Sequence, residues 1–272
     1  MRRMRLPRVV AVAVLVAAIL AYAGMCGILY SAQGIILYHP SPLLFEPDAQ
    51  SISIAGKTGA LRGWVVNPGQ SDALVYFGGN GESVERDVAF FRELLPERSV
   101  YLAPYRGYGP NTGTPSEAGI EADALAVFDL VHASHADIAV MGRSLGSGIA
   151  THVAAHRPVD GLVLITPYDS ILNVARARYR AFPVFLLLKD RYESWRNADA
   201  ISTHTLAILA SNDEAVPRTN SDALLTHFRS SKTVVVIPHS DHNNLSNSVV
   251  YSTSIRNFLA QPPAPAPQAP PH

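Results

Sequence analysis

The sequence predicts an α/β domain, a mostly parallel sheet flanked by helices on both faces, behind one N-terminal transmembrane helix. Short β-rich runs alternate with helical patterns from residue 61 to residue 259, the rhythm of parallel strands joined by crossover helices. Residues 9–30 carry no charge, and one strand-to-helix junction reads Gly142-Arg143-Ser144-Leu145-Gly146. Of 272 residues, 48% are hydrophobic and 16% charged, which excludes disorder as the dominant state. Cys26 is the one cysteine, so neither an intramolecular disulfide nor a cysteine zinc cluster is expected, and redox chemistry is disfavoured.

In chain order, residues 1–8 form a basic segment with Arg2, Arg3, Arg5 and Arg8. Setting those four aside leaves 18 basic against 22 acidic side chains, a net of −4, which gives nucleic acid no electrostatic footprint. Residues 9–30 are 22 uncharged positions, and a helix of that length spans about 33 Å, enough to cross a bilayer core. The arginines hold the N-terminus in the cytoplasm by the positive-inside rule, which puts the following domain on the periplasmic or extracytoplasmic side of a single-pass membrane protein. The competing reading is a signal peptide cleaved near Tyr30, Ser31, Ala32 and Gln33, giving a secreted protein without residues 1–32. Met25 before Cys26 argues against lipoprotein processing. Residues 31–49 read as a linker, 50–260 as one domain, and 261–272 as an extended, disordered proline-rich tail, with docking to a proline-reading partner the less favoured account.

Within the domain, strands are expected at residues 51–54, 61–66, 73–77, 99–103, 138–141, 161–165, 206–210 and 233–237, the first two as an antiparallel edge. Helices are expected at 82–95, 116–133, 145–156, 219–228 and 244–259. Residues 166–202 interrupt this rhythm with helical, apolar stretches and read as a small cap. Phe182, Val184, Phe185, Leu186 and Leu187 there seal the core in the default reading, and line an acyl pocket or touch the membrane in the alternative.

G-x-S-x-G is a weak signal by itself, but here it follows an apolar strand and opens a helix. That turn raises a serine hydroxyl at the carboxyl edge of a sheet. A serine needs a base, and the base an orienting acceptor. Asp213 lies beyond the strand ending at residue 210, and His242 lies in the loop before the last helix. The order Ser144, Asp213, His242 suits a triad in which His242 takes the serine proton and Asp213 stabilises the imidazolium. Asp169 is the alternative acid, Glu214 a weaker one. His239 reads as structural and Asp241 as a surface residue. The remaining histidines are scattered, so no metal or other cofactor is expected. The oxyanion hole is assigned to the Leu145 N–H and to the glycine-rich loop Phe77-Gly78-Gly79-Asn80-Gly81, with Asn80 the first choice of donor and Gly79 the second. No phosphate-loop pattern follows that strand. Arg143, Tyr105 and Tyr108 are candidate pocket residues, with structural packing of the tyrosine loop equally open.

With these residues assembled, the chain resembles the α/β-hydrolase superfamily, and within it the membrane-anchored abhydrolase-domain proteins, which include eukaryotic protein depalmitoylases and bacterial relatives. The likeness covers residues 36–259. It rests on Tyr76-Phe77-Gly78-Gly79-Asn80-Gly81, Tyr105-Arg106-Gly107-Tyr108-Gly109 with Gly113-Thr114-Pro115-Ser116-Glu117, the Ser144 turn, Asp190-Arg191-Tyr192, and Asp213-Glu214-Ala215-Val216-Pro217 with His242. The resemblance implies Ser144 as nucleophile, Asp213 and His242 as its partners, and backbone donors at Asn80 and Leu145. The chain departs from the pattern in two places. Gly78 stands where relatives often have His, and the cysteine-rich N-terminus of the depalmitoylases is replaced by the apolar helix, so their substrate is not carried over.

The function expected is that of a membrane-anchored serine hydrolase, cleaving an ester or thioester of a small-molecule or lipid-like acyl substrate through an acyl-enzyme. A peptidase or amidase and an acyltransferase share the same triad, and a non-catalytic membrane-bound binding protein of the same fold is the rival from another class.

Overall fold

In the computed structural model, the structure describes residues 6–56 and 59–261. Arg2, Arg3 and Arg5 of the basic segment and the proline-rich tail from Pro262 onward lie outside the described residues.

The chain opens with α1 (Leu6–Tyr38), which continues eight residues past the end that charge counting assigns to it. Nothing in Ser31-Ala32-Gln33-Gly34 breaks a helix that packs on the domain. Termination comes at His39, which takes a φ of 43° before Pro40, since the proline ring clashes with a helical residue ahead of it. Part of the expected linker is therefore helix. Beyond it lie β1 (Gln50–Gly56), β2 (Gly59–Val66) and β3 (Asp72–Phe77), then α2 (Val88–Leu94) and β4 (Arg98–Leu102). Next come α3 (Glu117–His132), β5 (Asp137–Arg143), α4 (Leu145–His156) and β6 (Gly161–Ile165). Three short helices follow, α5 (Ile171–Arg178), α6 (Val184–Leu187) and α7 (Ser194–Ala198), and the chain ends on β7 (Thr205–Ala210), α8 (Arg218–His227), β8 (Lys232–Ile237) and α9 (Val249–Leu259).

The strands form one eight-stranded sheet in the order β1-β2-β4-β3-β5-β6-β7-β8. β2 pairs antiparallel with both β1 and β4, and every later pairing is parallel. Alternate residues feed two cores. Val75, Val140 and Leu164 face the layer of α3, α4 and α8, while Leu74, Met141 and Val163 face α2 and α9. Both faces of β3, β5 and β6 are thus buried, which is why these strands read as continuous apolar runs in the sequence.

The cap holds α5, α6 and α7 and contains no strand. The Glu117 carboxylate, at the start of α3, clamps it by accepting the N–H of Arg191 at 2.7 Å and of Tyr192 at 2.8 Å. Burial pushes this carboxyl above its ordinary range, with the two N–H groups pulling the other way. Two of the motifs behind the resemblance, the one ending at Glu117 and the one ending at Tyr192, therefore meet as halves of a single clamp.

Candidate active site

Ser144 sits between β5 and α4 with φ 50° and ψ −116°, a conformation that is strained for a residue with a side chain. The surroundings over-determine it. The Ser144 N–H donates to Ile165 O at 2.9 Å, and Ser144 O accepts from the Ser147 N–H at 2.9 Å and the Ser147 hydroxyl at 2.7 Å. The flanking glycines leave no alternative: a Cβ on Gly142 would lie 2.1 Å from Gly146 O, and one on Gly146 2.0 Å from Phe77 O.

The structure brings together the three residues expected to form a triad. Ser144 Oγ is 2.9 Å from His242 Nε2, and His242 Nδ1 is 2.8 Å from Asp213 Oδ2. Asp213 Oδ1 accepts the N–H groups of Ala215 at 2.9 Å and Val216 at 2.8 Å, so the turn after β7 fixes the carboxylate. The His242 loop is tied to that turn by the Asn212 N–H, which donates to Ser240 O at 2.9 Å. With a proton on Nδ1 held by Asp213, Nε2 is left to accept from the serine hydroxyl.

The rival residues are engaged elsewhere. Asp169 accepts the side-chain amides of Asn220, at 2.8 Å, and Asn173, inside the domain. Asp241 is exposed and accepts the N–H groups of Asn243 and Asn244 in its own turn. Among the described residues no cluster of histidine, cysteine and carboxylate has the makings of a metal site.

The glycine-rich loop after β3 lies against the serine. A Cβ on Gly79 would sit 3.6 Å from Ser144 Cβ. The Gly79 N–H donates to Glu82 Oε2 at 2.9 Å, which corrects the reading of Gly79 as an oxyanion donor: its hydrogen is already committed. The N–H groups of Asn80 and Leu145 have no acceptor in loop or turn hydrogen bonds among the described residues. Of the two readings open for Tyr105 and Tyr108, pocket lining and packing of their loop, the structure favours packing. Both are buried behind the cavity wall, where Tyr105 donates to Gly78 O at 2.6 Å and Tyr108 to Tyr38 O. They brace the loop and the end of α1 because their rings fill the gap between these elements.

Glu82, which the sequence reading passes over, is the centre of a buried polar group beneath the loop. Its Oε1 accepts from the Tyr76 hydroxyl, and its Oε2 accepts from both Gly79 N–H and Arg143 Nη1, the latter at 3.0 Å. Arg143 Nη2 donates in turn to His242 O at 3.3 Å, so one guanidinium joins the oxyanion loop, the serine turn and the histidine loop. Burial works against the Arg143 charge, but Glu82 together with Tyr76, Tyr251 and Asp87 outweighs it, and the pKa is raised. Burial first, and the nearby Glu82 charge next, push Asp87 up to about 8, so Asp87 holds its proton near neutral pH. The same cluster explains Gly78, where an added Cβ would meet Val84 Cγ1 at 2.8 Å and Glu82 Oε1 at 3.0 Å. Glu82 occupies the room a histidine would need. In the sequence, an acid that opens the helical pattern expected at 82–95 looks like an ordinary first-turn residue, which hides it.

A cavity of ≈ 570 Å³ opens above Ser144. Its floor holds Ser144, Leu145, His242, Gly79 and Asn80, with Arg143 at the edge, and its upper walls come from the cap and from α1.

No protein-family model matches the chain. It is 33% identical to an uncharacterized protein of Mycobacterium tuberculosis, with 96% of this chain and 97% of the relative aligned. It is also 32% identical to the lysophosphatidylserine lipase ABHD12 of Bos taurus over 60% of this chain, a match that spans 40% of the lipase. Among solved structures it is similar to the Pyrococcus furiosus esterase Pf2001, with a TM-score of 0.67 at 15% identity over 82% of this chain and 96% of the other. Est1E from Butyrivibrio proteoclasticus gives a TM-score of 0.63 at 19% identity over 78% and 98%. The likeness to these structures is one of fold, while that to the mycobacterial protein runs almost end to end. Taken with the strand order and the serine turn after β5, the solved structures give the chain the α/β-hydrolase fold, and the end-to-end match makes it a member of one family with the mycobacterial protein.

Proposed function

We propose that this protein is a membrane-anchored serine hydrolase that cleaves the carboxylic ester or thioester of a lipid-like acyl substrate. The observation that carries the reading is the continuous chain from Ser144 Oγ through His242 to Asp213, at 2.9 and 2.8 Å. The partial likeness to a lipase supports a lipid ester, and the apolar helix α1 supports a site held at the bilayer.

In this mechanism Ser144 Oγ attacks the carbonyl carbon while its proton passes to His242 Nε2. Asp213 steadies the imidazolium, and the N–H groups of Asn80 and Leu145 receive the developing oxyanion. The tetrahedral adduct collapses by breaking the bond to the leaving alcohol or thiol, which takes the proton from His242. Water then attacks the acyl-serine, gives its proton to His242, and releases the acid with the serine restored.

A fluorophosphonate probe tests the reading in detergent. Wild type is expected to label and a folded Ser144→Ala variant to lose the label. A well-folded wild type that stays unlabelled favours the non-catalytic binding protein instead.

A further inference from the structure

The wall of the cavity facing the N-terminus is α1 itself, which a simple tether would leave free. Along α1, Cys26, Leu29, Ala32, Gln33 and Leu37 are partly covered while Met25, Ile28 and Ile35 are exposed. That spacing of three and four selects one helix face. The covered face grips the cap at several depths. Tyr22 donates to Ala181 O at 2.8 Å, and its ring stacks on Phe182 at 5.8 Å. Gln33 donates to Leu187 O at 3.1 Å and accepts the Lys189 N–H at 2.7 Å, and Tyr38 donates to Asp190 at 2.8 Å. Leu29, Gln33, Ile36 and Leu37 line the same cavity as Ser144.

The length of α1 places this wall. From Arg8 to Tyr38 the helix covers 31 residues, about 46 Å at 1.5 Å per residue, against about 30 Å of hydrocarbon. With Arg8 at one interface, Tyr22 stands within the hydrocarbon, and residues from Leu29 onward reach the opposite headgroup region. The cap loop that Tyr22 touches therefore dips into the leaflet. Just beyond it, α6 exposes Phe185 (50%) and Leu186 (67%). Exposed Arg176, Arg178, Arg180 and Lys189 flank these apolar side chains on both sides in sequence, the pattern of a segment seated at a membrane surface.

We propose that α1 is one wall of the acyl-binding site, so that an acyl chain passes from the leaflet to Ser144 between α1 and the cap without crossing water. The inference rests on the hydrolase reading and adds where the acyl chain lies. Leu29 and Ile36 become residues that set chain-length preference.

The test uses the full-length protein in detergent, with p-nitrophenyl palmitate and p-nitrophenyl acetate as substrates and cis-parinaric acid as an acyl probe that needs no turnover. Leu29→Trp and Ile36→Trp are expected to lower the palmitate-to-acetate ratio of kcat/KM by about tenfold or more and to weaken parinarate binding by a similar factor. Leu29→Ala, which opens the wall, serves if the tryptophan variants do not fold, and it is expected to shift the preference toward longer chains. Ile35→Trp, on the exposed face, should leave the ratio as in wild type. Wall variants that fold yet keep both the wild-type ratio and wild-type parinarate binding overturn the proposal. A wild type that binds parinarate through this wall but hydrolyses neither ester supports the proposal's placement of the chain and sinks the hydrolase reading alone.

Discussion

Ser144, His242 and Asp213 touch in series, so they are expected to act as one unit rather than as additive parts. Ser144→Ala and His242→Ala should each lower kcat by about 10⁴-fold or more, and the double variant should fall within about tenfold of the worse single variant. Steady-state hydrolysis of an activated ester measures all three, and a double variant that loses the product of the two effects would argue for independent roles. Asp87 allows a separate test through stability. Its folded pKa is raised to about 8 by burial first and by Glu82 next, so the folded state holds its proton more tightly than the unfolded chain. A raised pKa contributes stability at acid pH, and that contribution is lost as pH climbs from about 4 toward about 8. Asp87→Asn carries no such titration. Its melting temperature should therefore gain on that of wild type across this window, by about 3 °C or more, as read by thermal denaturation in detergent. A constant difference between the two would remove Asp87 as the titrating group.

Which elements were legible in the sequence follows from how each one packs. β3, β5 and β6 are buried on both faces, so their runs are apolar without interruption, and α2 and α3, which lead into β4 and β5, show one covered face. The serine turn was legible because its geometry tolerates so few residues. Gly146 shows how few: its added Cβ would fall 2.0 Å from the Phe77 carbonyl oxygen and 2.6 Å from that of Gly78, both main-chain atoms of the neighbouring strand end. Gly146→Ala is expected to lower stability by about 3 kcal/mol or more, or to prevent folding, because α4 cannot move off β3 without opening the core packed between helix and sheet. Chemical denaturation measures this, and a neutral outcome would mean that α4 approaches β3 less closely than described. The packed side of α1 stayed hidden for the opposite reason. A helix that is apolar all round gives no contrast between its covered and exposed faces, so its grip on the cap and its extension to Tyr38 left no pattern to read. The roles of Glu82 and the two tyrosines are not legible in sequence because they depend on residues far along the chain: Glu82 on Arg143, Tyr105 on Gly78 and Tyr108 on Tyr38.

For the molecule as a whole, the question is what covers α1 away from the cap. Its most apolar stretch, with a mean hydropathy of 2.6, has no buried residue, and Val9, Val14 and Leu20 are each more than 60% exposed. A water-soluble protein rarely leaves so large an apolar surface bare, whereas a bilayer removes the cost of exposing it. The two accounts of this helix, a retained anchor and a cleaved signal, differ in their consequences for the domain. Removal of residues 1–32 would leave Gln33 and Tyr38 on the cap but strip away Leu29 from the cavity and Tyr22 from Phe182. A helix so engaged is expected to be retained. Expressed with its full sequence, the protein should sediment with membranes, stay there through an alkaline carbonate wash, and show an intact N-terminal peptide by mass spectrometry. A soluble species beginning near Gln33 would reverse this. The cavity would then open to water where Leu29 now stands, and the part of the chain-length preference that Leu29 sets would be expected to disappear with it.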